Sequence, residues 1–145
     1  MEPRHEHWIA AKHVLRYIRG TINYGLRYTA SSDIHLHGFT VSNWAGSVED
    51  RKSTSGMCFR LGSAMISWGS RKQKSVAFST TEAEYIAACE ACTKAVWLRK
   101  LISGLFDQVL DSTIIHCDNQ SCIRLSKHLV FHERLKHIEI KYYFI

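Results

Sequence analysis

One long helical stretch, residues 79–100, most constrains what this chain can fold into. Residues 79–81 are candidate N-caps, and Glu82 follows Ser79 by three positions, which is the spacing of a capping box. Gly104 is the expected end of the helix. Apolar side chains recur at helical spacing and predict one buried stripe: Tyr85, Ala88, Cys89, Cys92, Val96 and Trp97. A buried helix between strand-like segments predicts a layered α/β fold.

Strand patterns lie on both sides of this helix. The predicted strands are residues 24–28, 34–41, 56–61, 64–70 and 113–118. Gly62 and Ser63 form a two-residue hairpin signal between the third and fourth of these. Further helices are predicted at residues 1–22 and 119–127, a loop at 128–137 and the start of an apolar element at 138–145. The element order predicts a mixed sheet, in which a parallel fourth strand joins three antiparallel ones.

The tryptophans are expected in the core, because an aromatic side chain at strand or helix spacing usually packs there. This expectation covers Trp44, Trp68 and Trp97.

Composition narrows the function classes without choosing one. The chain has 145 residues, enough for one domain, and a net charge of +6, which is compatible with a polyanionic partner. The basic run of Arg71, Lys72 and Lys74 could follow a phosphate backbone or could be a solvated turn. The five cysteines show no repeated zinc-ligand spacing, which disfavours a zinc site and suits a reducing compartment. The N-terminus lacks a signal-peptide core and no stretch approaches a membrane span, so an intracellular protein is expected.

Several runs of the chain together resemble one family, the ribonuclease H domain at the end of copia-type retrotransposon polyproteins. The runs cover almost the whole chain: residues 7–21, 43–46, 50–73, 79–91, 97–101, 117–125 and 130–140. The resemblance divides the chain into a helix that connects to the reverse transcriptase (1–22) and a ribonuclease H-like domain (23–145) whose last strand and helix are missing. Residues 113–118 would then be an exposed sheet edge, and the isolated chain is expected to be marginally stable or prone to aggregate.

The resemblance also implies a chemistry. Ribonuclease H enzymes cut the RNA strand of an RNA–DNA hybrid with two divalent cations held between four carboxylates, and Mg²⁺ takes oxygen ligands. The family's second and third acids correspond to Glu84 and Asp118. Its first acid is replaced by Val41, and the aspartate two residues later is Asn43. Its fourth acid would lie beyond Ile145.

The resemblance therefore implies a remnant site with little or no nuclease activity. Glu84 and Asp118 would be its surviving catalytic and metal-binding residues, Asn43 could add a carbonyl oxygen, and Mg²⁺ would bind weakly or not at all. Two structural alternatives stay open: Glu84 could cap the start of its own helix, and Asp118 could cap the next helix. Two functional alternatives also stay open, a non-catalytic nucleic-acid-binding module and an effector-like module that binds a protein.

Overall fold

A four-stranded sheet and three helices make up the regular structure of this computed structural model, which describes residues 2–30 and 34–127. The predictions for residues 128–137 and 138–145 lie outside the described residues. The elements are α1 (His5–Gly20), β1 (Leu36–Asn43), β2 (Thr54–Leu61), β3 (Ala64–Lys72), α2 (Thr80–Phe106), β4 (Ile114–His116) and α3 (Gln120–Lys127).

The sheet has the predicted mixed topology, with strand order β3-β2-β1-β4. The β1–β2 and β2–β3 pairs are antiparallel, whereas β1 and β4 are parallel. Gly62 adopts a φ of 55° in the hairpin between β2 and β3, a conformation that glycine takes without steric cost. Within the described residues β4 is an edge strand, as predicted, and aggregation of the isolated chain stays a prediction.

Helix α2 begins at the predicted cap. The Ser79 side chain accepts a hydrogen bond from the backbone N–H of Glu82, and Glu82 Oε2 accepts one from the N–H of Phe78 at 2.9 Å. The predicted end at Gly104 is wrong, because the helix continues to Phe106 and ends where Asp107 takes a left-handed conformation. A glycine inside a helix costs only about 1 kcal/mol, so it does not by itself end the helix.

The buried face of α2 differs from the predicted stripe. In the second half of the helix Val96 and Trp97 are each 51% exposed, so their assignment to the core is wrong. The sheet instead covers a neighbouring face, which carries Ala91, Ala95, Leu98 and Ile102. These residues pack with Leu36 of β1 and Phe59 of β2. A second cluster joins the first turns of α2 to Cys122 of α3.

Trp44 and Trp68 also lie outside the core, which corrects the expectation for them. Trp68 stands on the face of β3 that faces away from α2 and is 73% exposed. Trp44 is 45% exposed, and its indole N–H donates to the backbone carbonyl of Ala77 at 3.0 Å.

The N-terminal region forms the predicted helix but not the predicted strand. No residue of α1 is buried, so its apolar side chains are exposed in the described structure. Residues 24–28 are not a strand. Isolated hydrogen bonds hold this segment to the β2–β3 hairpin instead. The Tyr28 hydroxyl donates to the carbonyl of Met65 at 2.8 Å, and the Thr29 N–H donates to Ser63 Oγ at 3.0 Å. None of the helices in residues 2–30 and 34–127 has the length and apolar character needed to cross a bilayer.

Candidate metal and catalytic site

Glu84 lies near the start of α2 and faces the end of β1. Its side chain is buried, with a residue exposure of 7%. Oε1 accepts a hydrogen bond from the backbone N–H of Ser42 at 2.8 Å. Oε2 is also buried, but it has no hydrogen-bond partner among the described residues. The carboxylate is therefore anchored to β1 through one oxygen, while the other is available to a ligand.

Asp118 reaches the same place from β4. Because β1 and β4 are parallel, their carboxyl ends lie at the same edge of the sheet. One oxygen of Glu84, the sulfur of Cys117 and one oxygen of Asp118 all lie within 4.8 Å of one another. The structure thus brings together the two acids named from the sequence and adds Cys117, which the sequence analysis did not assign to the site. That these residues bind metal stays a prediction.

The two structural alternatives for these acids are wrong. The capping interactions at the start of α2 are made by Ser79 and Glu82, and Glu84 instead bonds to β1. At the start of α3, Asn119 Oδ1 accepts the N–H of Cys122 at 2.9 Å, so Asn119 is the cap. Asp118 is exposed just before it.

The electrostatics of the site disfavour two ionised carboxylates without a cation between them. Burial raises the pKa of Glu84 above its ordinary value, and the nearby charge of Asp118 raises it further. The hydrogen bond from the Ser42 N–H acts in the opposite sense and lowers the pKa. A cation between the two acids would remove this repulsion.

The position of the family's first acid offers no ligand. Val41 is 53% exposed and lies on the opposite face of β1 from the buried Thr40. Asn43 shares the strand parity of Val41, and its side chain lies against the backbone of Gly46, where an added Cβ would come within 2.6 Å of Asn43 Nδ2. The described donors are two carboxylates and one thiol, a set that differs from the four carboxylates that the resemblance implies for two magnesium ions.

A buried glutamine supports the site from the side of β3. The Gln73 side-chain amide donates to Ser55 Oγ at 3.0 Å and to the carbonyl of Ala83 at 2.9 Å. The Gln73 backbone N–H donates to the carbonyl of Ser53 at 2.8 Å. These bonds fix the end of β3 against the residue that precedes Glu84. A glutamine within a basic run gave no sequence signal for this role.

The basic residues predicted to bind nucleic acid, Arg71, Lys72 and Lys74, flank this glutamine and are all exposed. Lys72 Nζ lies 2.9 Å from Asp50 Oδ1. A hydrogen bond from Ser47, and a smaller contribution from one donated by Lys72, lower the pKa of Asp50 to about 2, so this carboxylate is ionised at neutral pH. One of the three cations is therefore partly neutralised within the protein, and nucleic-acid binding stays a prediction.

Fold and site together define an α/β domain with a mixed sheet, whose shared β1–β4 edge carries two acids and a thiol. No family model matches the chain. It is 43% identical over 145 residues to the retrovirus-related Pol polyprotein from transposon TNT 1-94 of Nicotiana tabacum, an alignment that covers 99% of this chain and 11% of that protein. It is 39% identical over 143 residues to the corresponding polyprotein from transposon RE2 of Arabidopsis thaliana, covering 99% of this chain and 10% of the relative.

The chain therefore corresponds to a fragment of a copia-type retrotransposon Pol polyprotein, which confirms that part of the resemblance read from its motifs. The assignment to the ribonuclease H domain stays a prediction. It spans about a tenth of the length of these relatives. A different kind of relative is the secreted RxLR effector protein 161 of Plasmopara viticola. The two are 48% identical over 97 residues, which are 67% of this chain and 68% of that protein.

Proposed function

We propose that this chain is the ribonuclease H-like segment of a copia-type Pol polyprotein, and that it has lost cleavage of RNA–DNA hybrids while retaining a remnant of the site. The convergence of Glu84 and Asp118 at the shared end of β1 and β4 carries this proposal. These are the two acids that the family motifs in this sequence assign to the site. Both are held there by α2 and the parallel strand pair, not by a surface loop alone.

The loss of cleavage follows from the ligand count. In-line displacement with two metals needs carboxylates that hold both cations about 4 Å apart. Val41 replaces the acid that would lie next to Ser42, the residue whose N–H anchors Glu84. A valine provides neither charge nor a lone pair. Glu84 and Asp118, the two carboxylates that the described residues bring to the site, would not neutralise two dications.

Hybrid binding can survive without cleavage, because phosphate contacts supply most of the affinity for a nucleic acid. Arg71 and Lys74 extend from the end of β3, and Gln73 connects this segment to the residue before Glu84. A hybrid held by these cations would pass close to the remnant acids. The binding constant would fall steeply as the salt concentration rises.

A cleavage and binding assay on one labelled RNA–DNA hybrid tests both parts of the proposal. The natural chain, Val41→Asp and Glu84→Gln would be compared in Mg²⁺ and in Mn²⁺, with Asp111→Asn as a control that removes an exposed acid outside the site. We expect hybrid binding by all four proteins at low salt and no cleavage by the natural chain. Val41→Asp should bind Mn²⁺ more tightly than the natural chain.

Two results would contradict the proposal. Cleavage by the natural chain that disappears in Glu84→Gln but persists in Asp111→Asn would show a functional nuclease. Failure of the natural chain to bind the hybrid even at low salt would remove nucleic-acid recognition.

A second candidate function is an effector-like module that binds a protein, and the similarity to the RxLR effector favours it. The short edge strand β4 could accept a strand from a partner through backbone hydrogen bonds. The double substitution Arg71→Glu with Lys74→Glu separates the two functions. It should abolish hybrid binding, whereas co-precipitation of a protein partner through β4 should be unaffected.

A further inference from the structure

We propose that Glu84, Cys117 and Asp118 form a binding site for one thiophilic divalent cation of the Zn²⁺ or Cd²⁺ class, in place of a magnesium pair. The inference deepens the proposed function, because it names the ligand of the same remnant site. It reverses the expectation from cysteine spacing, which disfavoured zinc because no two cysteines had a ligand-like separation. The structure supplies a mixed donor set of two oxygens and one sulfur.

The distances suit a tetrahedral ion after small side-chain movements. Zinc binds carboxylate oxygen at about 2.0–2.2 Å and cysteine sulfur at about 2.3 Å, so tetrahedral ligands are roughly 3.4–3.6 Å apart. The three donor atoms already lie within 4.8 Å of one another. Rotations of the side chains of Asp118, which is exposed, and Cys117, which is half-buried, can close the remaining gap of about 1 Å. Water would supply the fourth ligand, as in open zinc sites.

The unpartnered oxygen of Glu84 is the second observation that points to a cation. The residue is more than nine-tenths buried, and its Oε2 has no hydrogen-bond donor among the described residues. A buried carboxylate oxygen without a donor is costly, and a metal ion satisfies it directly. The fixed hydrogen bond from Ser42 to Oε1 holds this carboxylate in place.

Cys117 is also held in place. Its side chain packs against the buried cluster between α2 and α3, which includes Cys122. The sulfur is thus positioned from one side by α3 and faces the two acids on the other. Sulfur decides the class of metal, because Mg²⁺ and Ca²⁺ take oxygen ligands whereas thiolates select Zn²⁺ and Cd²⁺. Val41 stands where an additional carboxylate would have favoured Mg²⁺.

A described pair of histidines could bind the same metals and must be separated from this site. His37 Nδ1 of β1 and His116 Nε2 of β4 lie 3.3 Å apart on exposed side chains. Cadmium distinguishes the two sites, because only a thiolate ligand produces sulfur-to-cadmium charge-transfer absorption in the ultraviolet.

The test is a Cd²⁺ titration of the reduced full chain, followed by that absorption, with Zn²⁺ and Mg²⁺ as competitors. We expect one cadmium per chain, displaced by Zn²⁺ but not by Mg²⁺. Cys117→Ala should abolish the absorption, and Asp118→Asn should weaken binding by at least about tenfold. Cys58→Ala, which removes a half-buried cysteine on β2, and His116→Ala should leave it unchanged. Because Asp118 is exposed, its substitution tests the site even if Cys117→Ala fails to fold.

Three outcomes would overturn the inference: no cadmium absorption in the natural chain, absorption that survives in Cys117→Ala, or displacement by Mg²⁺ at concentrations similar to those of Zn²⁺. The hybrid-binding assay is independent of this readout. A chain that binds cadmium as described but no hybrid would refute the proposed function and leave the metal site standing. A chain that binds the hybrid but no cadmium would refute only the metal site.

Discussion

Substitution of Gly38 by alanine should destabilise the protein and disturb the site at a distance. Gly38 lies in the middle of β1, opposite Phe59 of β2 and Ile115 of β4. A Cβ added at Gly38 would lie 2.5 Å from Ile115 Cδ1 and 2.8 Å from Phe59 Cε1, both closer than real carbon contacts. Phe59 is fully buried and cannot move into solvent, so the strain falls on β4.

The expected cost follows from two opposing effects. Overpacking of a core costs about 1–3 kcal/mol. Replacement of glycine by alanine returns about 0.4–1 kcal/mol by restricting the unfolded chain. The net loss in the free energy of unfolding is therefore about 0–2.6 kcal/mol, with a central value of about 1.3 kcal/mol. For a chain of this size the central value lowers the Tm by roughly 3–5 °C.

A double-mutant cycle with Ile115→Val identifies the responsible contact. Valine lacks Cδ1, the atom nearest to the new methyl group. Alone, Ile115→Val should cost about 0.5–1.5 kcal/mol, but in the Gly38→Ala protein it should cost less or stabilise. Gly104→Ala is the matched control, because no side chain or distant backbone atom lies within 4 Å of its added Cβ, and it should stabilise α2 by up to about 1 kcal/mol.

Thermal and urea unfolding, followed by circular dichroism, measure these differences. A Gly38→Ala protein that melts at or above the temperature of the natural chain would refute overpacking at this position, and so would an Ile115→Val substitution that costs the same in both backgrounds. Ile115, which the new methyl group would displace, lies two residues before Cys117. Gly38→Ala should therefore also weaken cadmium binding.

Three further predictions concern single side chains. Glu84→Gln should raise the free energy of unfolding at pH 7. Because the pKa of Glu84 is raised in the folded protein, its protonated form contributes stability that is fully present below the ordinary pKa of 4.5 and is lost as pH rises through the pKa of the folded state. Glutamine stays neutral and does not lose this contribution. Urea titrations from pH 4 to pH 8 without metal should show the gap between variant and natural chain close at the acid end, and a constant gap would refute the sign. Ser79→Ala should cost about 1 kcal/mol by removing the cap of α2, measured by urea unfolding, whereas Ser79→Asp should retain most of the stability. Asp50→Asn should release Lys72 from its ion pair and tighten hybrid binding. In that background Lys72→Ala should reduce the slope of log affinity against log salt concentration by about 1. Unchanged hybrid affinity in Asp50→Asn would exclude this segment from the interface.

The sequence predicts most of the regular structure because local signals agree there with tertiary packing. Helix α2 combines a capping box with a long apolar pattern, and the hairpin combines alternation with a Gly-Ser turn. The segment at residues 24–28 has tyrosines that favour a strand but pairs with none of the described strands, so propensity alone was misleading. Periodicity also could not choose between two apolar faces of α2, because the sheet covers only one of them.

The site was predictable to the extent that its residues fall in family motifs. Glu84 and Asp118 come together because α2 begins, and β4 ends, beside the carboxyl-terminal half of β1. Cys117 was missed for a physical reason. Adjacent residues of a regular strand point to opposite faces, which would separate Cys117 from Asp118. Strand β4 ends at His116, so neither residue obeys that alternation and both can face Glu84.

The shortness of β4 links order at this edge to occupancy of the site. The strand has three residues and, among the described strands, pairs only with β1, so its local opening should require far less free energy than global unfolding. Glu84 is anchored to α2 and β1, whereas Cys117 and Asp118 follow β4 directly. An ion that binds Glu84 together with Cys117 and Asp118 must hold β4 against β1, and part of its binding energy is used to order β4. Hydrogen exchange at residues 114–116 should therefore slow on metal binding while exchange in β2 stays constant, which makes the backbone of β4 itself a reporter of the ion.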